Sequence, residues 1–171
     1  IPHVHARQWV LSLPKRLRPY LTHDPVLVGR ILGVLLRILR RALRDAAPDA
    51  PPHAALGAVS FLHRFGSSLN PHFHFHLCVV DGLFQRAEDD TDQDPANPET
   101  HLRFHEATAL TRELLERLQH TVRKRVLRHV RRHGLLEPHD AEDMLTWDHG
   151  GGFSLDGSVR IEATDREGLE R

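Results

Sequence analysis

Three imidazoles recur at every second position in His72-Phe73-His74-Phe75-His76, and the run continues into the apolar Leu77-Cys78-Val79-Val80 before Asp81-Gly82 stops it. Side chains alternate faces along an extended strand, so this period puts all three rings on one face and both phenylalanines on the other. The chemistry open to such a face is metal ligation, because a neutral imidazole nitrogen binds divalent ions well. Same-face neighbours lie about 6.6 Å apart at roughly 3.3 Å per residue, so two adjacent histidines can lean onto one ion, whereas the outer pair, about 13 Å apart, cannot easily share it. One ion would be held by His74 with either His72 or His76, and another segment must complete the shell. The plain alternative is a half-buried strand whose histidines face solvent; three in register beside so apolar a run weigh modestly towards a site.

A strand of this kind must be positioned by its neighbours. Ala58 to Phe65 reads as a second strand, and the short Gly66 to Pro71 connection implies antiparallel pairing with the histidine strand. His63 then becomes a possible cross-strand third ligand. Arg7 to Leu13 is a first strand, closed by Pro14. Asp24 followed by Pro25 predicts a helix start, with an acceptor at the cap and proline in the first turn. That helix should run to about Asp45, burying Leu27, Ile31, Leu35, Ile38, Leu39 and Ala42 and gathering Arg30, Arg37, Arg40, Arg41 and Arg44 on its other side. The Pro- and Ala-rich stretch 46–55 reads as a linker, and the Asp-rich 86–100 as a loop. A short strand is expected over His101 to His105. A long helix follows from about Thr108 to His133, with Leu110, Leu114, Leu118, Val122 and Val126 as its apolar stripe and Gly134 ending it. Phe153 to Leu155, Asp156-Gly157 and Ser158 to Ile161 read as strand, turn and strand, a hairpin signal, and Asp165 to Arg171 as the opening of a further helix.

With 171 residues, 40% hydrophobic and 27% charged, the chain fits one soluble domain. Its single cysteine excludes a disulfide framework and a Cys-based zinc site, and fits a reducing cytoplasm. A chain that begins at Ile1 and has one methionine, Met144, is expected to be a fragment of a longer reading frame. Net charge is zero, yet residues 1–44 carry nine Arg or Lys against Asp24 alone, and residues 112–133 carry eight against Glu113 and Glu116. The acids collect in 81–100 and 134–171. Two basic helices on one side of a sheet would form a cationic surface for a phosphate backbone; solvated helix faces neutralised by the acidic blocks explain the charge equally well. The surface residues that would contact DNA are Arg30, Arg37, Arg41, Arg44, Arg64, Arg123, Lys124, Arg128 and Arg131.

The stretch from Arg64-Phe65-Gly66 through Pro71-His72-Phe73-His74-Phe75-His76 to Asp81-Gly82-Leu83-Phe84 resembles the core of rolling-circle transposases of the insertion-sequence family numbered ninety-one. Gln8-Trp9-Val10-Leu11-Ser12-Leu13-Pro14 and Trp147-Asp148-His149-Gly150-Gly151-Gly152-Phe153-Ser154-Leu155-Asp156 are similar to that family too, so the likeness spans nearly the whole chain. The resemblance implies the fold of the His-hydrophobic-His endonucleases, which include replication initiators and relaxases: α+β, a central antiparallel sheet flanked by helices, here a single partial catalytic domain over 1–171, incomplete at both ends. It implies that His74 and His76 are the metal pair, holding Mg²⁺ or Mn²⁺ against the scissile phosphate of single-stranded DNA at transposon ends, with His72 auxiliary and His63 a weaker candidate. It implies bacterial cytoplasmic action at the nucleoid, with no membrane. An added carboxylate should help complete the shell, because Mg²⁺ prefers oxygen; Asp81 is a weak candidate and reads better as a turn residue.

Two departures bound the activity. The family's nucleophilic tyrosines, which form a 5′-phosphotyrosine link, lie on a helix beyond the part resembling Ile161 to Arg171, and its cysteine-rich zinc module precedes the part present here. The one tyrosine, Tyr20, reads as structural. The expectation is a chain that supplies the metal site and DNA surface of DNA transposition without forming the covalent link itself. Two other readings stay open: a non-catalytic nucleic-acid-binding transposase remnant with idle histidines, and an unrelated hydrolase or oxygenase using His-x-His plus a carboxylate.

Overall fold

Alternating apolar residues build the sheet. The computed structural model describes residues 3–66, 70–86, 102–108 and 110–165. Strand β1 (Ala6–Ser12), edge strand β2 (Ala58–Phe65) and β3 (Pro71–Val80) pair antiparallel in the order β2-β3-β1. β4 (Gly82–Arg86) and β5 (Leu102–Glu106) form a separate two-stranded antiparallel ribbon. β6 (Ser154–Asp156) and β7 (Arg160–Ile161) both pair with the free side of β1.

The helices are α1 (Arg18–His23), α2 (Pro25–Ala46), α3 (Arg112–Arg132) and α4 (Pro138–Thr146). α2 starts where the sequence says it should: the Asp24 carboxylate accepts from the Leu27 N–H at 2.9 Å, satisfying one of the unpaired amides of the first turn. α3 starts four residues later than expected, at Arg112, capped by the Thr111 hydroxyl. Thr108 stays outside it and ties the chain to the end of α2, its N–H donating to the Ala46 carbonyl at 2.8 Å. Gly134 ends α3 at φ +67°, a conformation that suits glycine. Two helices went unforeseen, α1 and α4, although Pro138 at the first position of α4 is a start signal of the same kind as Pro25.

α2 and α3 pack on one face of the sheet. Phe73, Phe75, Leu77 and Val79 of β3 and Trp9 and Leu11 of β1 are buried there against Ile31, Leu35 and Leu39 of α2 and Val122, Val126 and Val130 of α3. Each such side chain contributes about 1.5–3 kcal/mol on burial, and together they fix which face of β3 points inward. The histidines, at even positions, therefore take the face turned away from α2 and α3. The architecture is α+β with an antiparallel sheet, as expected, its long helices on one side.

The Asp-Gly hairpin does not form. β6 and β7 do not pair with each other; they run in succession along the same edge of β1, parted by a step in register at Gly157 to Val159, where three residues lie against two of β1 and the Val159 carbonyl still accepts from the Gln8 N–H. The step has a packing cause. Gly157 lies so close to the Trp9 indole that a Cβ there would sit 2.8 Å from the ring, and its carbonyl accepts from buried Arg7 at 2.8 Å. Asp156, instead of opening a turn between two paired strands, accepts from the Ser158 N–H at 2.9 Å. In the 46–55 stretch Ala47 and Ala54 are buried, and the Ala54 carbonyl accepts from Arg40 and Arg44. Most of the Asp-rich loop, His101 and the helix opening expected after Asp165 lie outside the described residues.

Candidate metal centre

The antiparallel register puts His63 of β2 directly opposite His74 of β3, and His76 follows two residues along on the same face. The rings cluster: His63 and His76 stack with centroids 4.4 Å apart, His63 and His74 meet edge-on at 5.1 Å, and His74 and His76 at 5.0 Å. One nitrogen from each of these three histidines lies within 4.8 Å of the others, so the three could hold a metal ion. Two ligands of one ion at roughly 2.1 Å per bond sit about 3.4 Å apart, a difference that small rotations of the rings close. The sequence pair His74 and His76 is brought together, His63 joins it from the neighbouring strand, and His72 stands outside the trio with its ring 4.9 Å from that of His74.

The surroundings prepare the rings for ligation. A carbonyl can only accept, so the 2.9 Å contact between His74 Nδ1 and the His72 carbonyl fixes a proton on Nδ1 and frees Nε2 as a ligand atom. His76 Nδ1 faces the Gln8 side-chain amide at 3.5 Å. Burial, then the neighbouring His63 and His74, lowers the His76 pKa below its ordinary 6.5, keeping it neutral at pH 7. His72 is lowered likewise by burial, then by His74, Arg18 and Lys15. Three imidazole nitrogens are a donor set for a transition-metal ion more than for Mg²⁺.

Among the described residues no carboxylate joins the trio. Asp81 is excluded by strand parity: as an odd-numbered residue it turns to the phenylalanine side, where Arg7 Nε and Nη2 donate to its two oxygens at 3.0 Å each and Arg160 Nε donates at 3.2 Å. It is a buried structural anchor. Tyr20 is partly buried against the core.

The expected DNA-contacting residues divide. Arg123 is a correction: it is buried, its guanidinium donating to the carbonyls of Met144 and Trp147, and burial lowers its pKa. A group closed off inside the fold does not reach a phosphate. Arg44 is half-buried and folded onto Ala54, and Arg64 lies over the Phe73 ring, 6.0 Å from its centroid, on the helix side of the sheet. Arg30, Arg37, Arg41, Lys124, Arg128 and Arg131 are exposed, with Arg30 donating to His133 at 2.7 Å and Arg131 3.8 Å from Glu142. The two basic helices do share a side of the sheet, but it is the side opposite the histidine face, so the exposed cations and the trio do not form one surface.

Sequence reasoning missed a groove of about 610 Å³ beside the trio, bordered by Lys15, Arg16, Arg18, His72, Trp147 and the Gly151-Gly152 turn. The clustered Lys15-Arg16-Leu17-Arg18 was its one sequence signal, absorbed there into a regional charge count. A family model described as "Putative transposase" (Y2_Tnp) matches residues 57–171, which hold both histidine strands, α3, α4 and the glycine turn. No curated protein and no solved structure matches the chain.

Proposed function

The chain belongs to the transposase family whose model spans its residues 57–171, and we propose that its role in transposition is metal-dependent handling of single-stranded DNA ends, in the rolling-circle manner of the insertion-sequence family numbered ninety-one. One observation carries the reading: His63, His74 and His76 converge from two paired strands on the sheet face opposite the buried phenylalanines. A Mn²⁺ or Mg²⁺ ion bound there would supply positive charge to the non-bridging oxygens of a phosphodiester, offsetting the charge that accumulates as the bond is attacked. His63, His74 and His76 would hold the ion. The His72 carbonyl orients His74, and the His72 ring, at the mouth of the groove, contacts the incoming phosphate. The buried phenylalanines on the reverse of β3 keep the strand rigid, so the rings stay in place without reorganisation. We assign the attacking role to no residue of this chain, because Tyr20 packs against the core. The proposed setting is the bacterial cytoplasm; no helix among the described residues is long and apolar enough to cross a membrane.

Titration calorimetry with Mn²⁺ and with Mg²⁺, followed by incubation with labelled single-stranded transposon-end DNA, tests the reading. The expected result is Mn²⁺ binding tighter than Mg²⁺ binding, weakened by roughly tenfold or more in the His74→Ala/His76→Ala variant. Mn²⁺ affinity indifferent to that double substitution sinks the metal centre, and a covalent DNA adduct on Tyr20 overturns the assignment of the nucleophile.

A further inference from the structure

The groove next to the trio has the parts of a site for one nucleotide. Trp147 is 42% exposed at its rim, unusual for so large an apolar ring. It is also held firmly: buried Arg123 donates to the Trp147 carbonyl at 3.1 Å and to that of Met144, fixing the backbone from which the indole projects. The opposite border is cationic. Arg16 is already paired with Asp140 at 2.5 Å, but Lys15 and Arg18 have no acidic partner among the described residues, and Arg18 Nε is shielded from solvent without any hydrogen-bond partner. Two cations without an acidic partner along one border of a groove are matched to an anion, which the solvent-facing ends of their side chains can reach. The floor is backbone: Gly151 and Gly152 have φ of +62° and +78°, and a Cβ on Gly152 would sit 3.0 Å from Pro14 Cβ, so the glycines let the turn close against β1's end and leave the groove open. His72 borders the groove, and its ring neighbours His74 of the trio.

We propose that this groove is a single-nucleotide subsite for the DNA strand, in which the Trp147 indole stacks on a base and Lys15 and Arg18 hold the adjoining phosphate, so that the strand continues past His72 to the trio. The inference rests on the DNA-handling role proposed above and adds to it the residues that seat the strand. Stacking on an aromatic tolerates any base, so the subsite sets where the strand lies and leaves its sequence unread.

The chain has two tryptophans, Trp147 at the rim and Trp9 at 1% exposure, so a bound base quenches one and leaves the other untouched. The experiment titrates the 171-residue chain with an oligothymidylate eight nucleotides long in excess EDTA, reading tryptophan emission together with the anisotropy of a labelled copy. Saturable quenching by the oligonucleotide is expected, with none from an abasic strand of equal length. Trp147→Ala should weaken binding on the order of tenfold, and Arg18→Gln should flatten the slope of log affinity against log salt by about one. Binding seen by anisotropy with no change in emission, or with unaltered affinity in Trp147→Ala, overturns the subsite. Failure of the metal reading appears separately, in the Mn²⁺ titration: His-dependent Mn²⁺ binding with a silent Trp147 removes the subsite alone, whereas quenching without Mn²⁺ binding removes the metal centre alone.

Discussion

Asp81→Asn separates a ligand from a structural anchor. Asp81 and Arg7 are both nearly inaccessible, at 5% and 8% exposure, and two charge-assisted hydrogen bonds of 3.0 Å join them. The neutral amide has one acceptor where the carboxylate had two, and its NH₂ meets the guanidinium donor to donor. Arg7 keeps the Gly157 carbonyl, at 2.8 Å, and one neutral bond to the amide oxygen, while Arg160 falls back on Glu106 at 3.2 Å and Glu162 at 3.5 Å. The loss is therefore mainly that of a buried cation deprived of its anion, about 3–5 kcal/mol. At about 2–4 °C per kcal/mol for a chain of this size, Tm should drop by roughly 10 °C in a circular-dichroism melt. Mn²⁺ affinity measured below the new transition should be unchanged, because the carboxylate faces away from the trio. Replacing both partners, Arg7→Met with Asp81→Leu, should recover most of the loss, since an apolar pair of similar volume substitutes well for a buried ion pair. An unaltered Tm accompanied by weaker Mn²⁺ binding would refute the parity argument and return Asp81 to the metal site.

Other perturbations follow from the same packing. Gly157→Ala would push a Cβ to 2.8 Å from the Trp9 ring, and overpacking of that kind costs about 1–3 kcal/mol, so a chemical-denaturation midpoint below that of the parent is expected and an unchanged one refutes the close approach. His72, His76 and His129 all have pKa values lowered, by burial first, from 6.5. The unfolded chain then binds more protons than the folded one between the lowered values and 6.5, so metal-free stability should rise with pH through that window and level off above it; urea melts from pH 5 to 8 check the sign. Burial raises the Cys78 thiol pKa, so native protein should alkylate slowly with iodoacetamide at pH 7.5 and quickly once unfolded, and rapid native labelling would contradict the placement.

The period-two histidines and phenylalanines of 72–76 identified the central strand, its faces and the cross-strand place of His63, because alternation is a local property of extended chain. α2 was legible for a similar reason: its cap, its proline and its apolar stripe all lie within the helix. The same alternation already held the answer for Asp81, whose odd number sets it against the metal face. Apart from α4, whose Pro138 start signal is local and went unread, what failed depended on partners distant in sequence. The Asp156-Gly157 pair is a fair turn signal until the Trp9 indole, some 150 residues away, occupies the space, and nothing local shows that Arg123, in the middle of a basic run, turns inward to hold Trp147. The groove joins the end of β1 to the turn after α4, a junction that only the folded chain creates.

Among the described residues β2 has a neighbour on one side only, and nearly all of its residues are exposed on both faces. His63 sits on it beside a register irregularity. A strand so thinly held can fray, yet it provides one of the three rings. Loading an ion would thus clasp the outermost ribbon to the sheet, and peeling that ribbon away would empty the cradle, so that order at this border and occupancy of the centre report on each other.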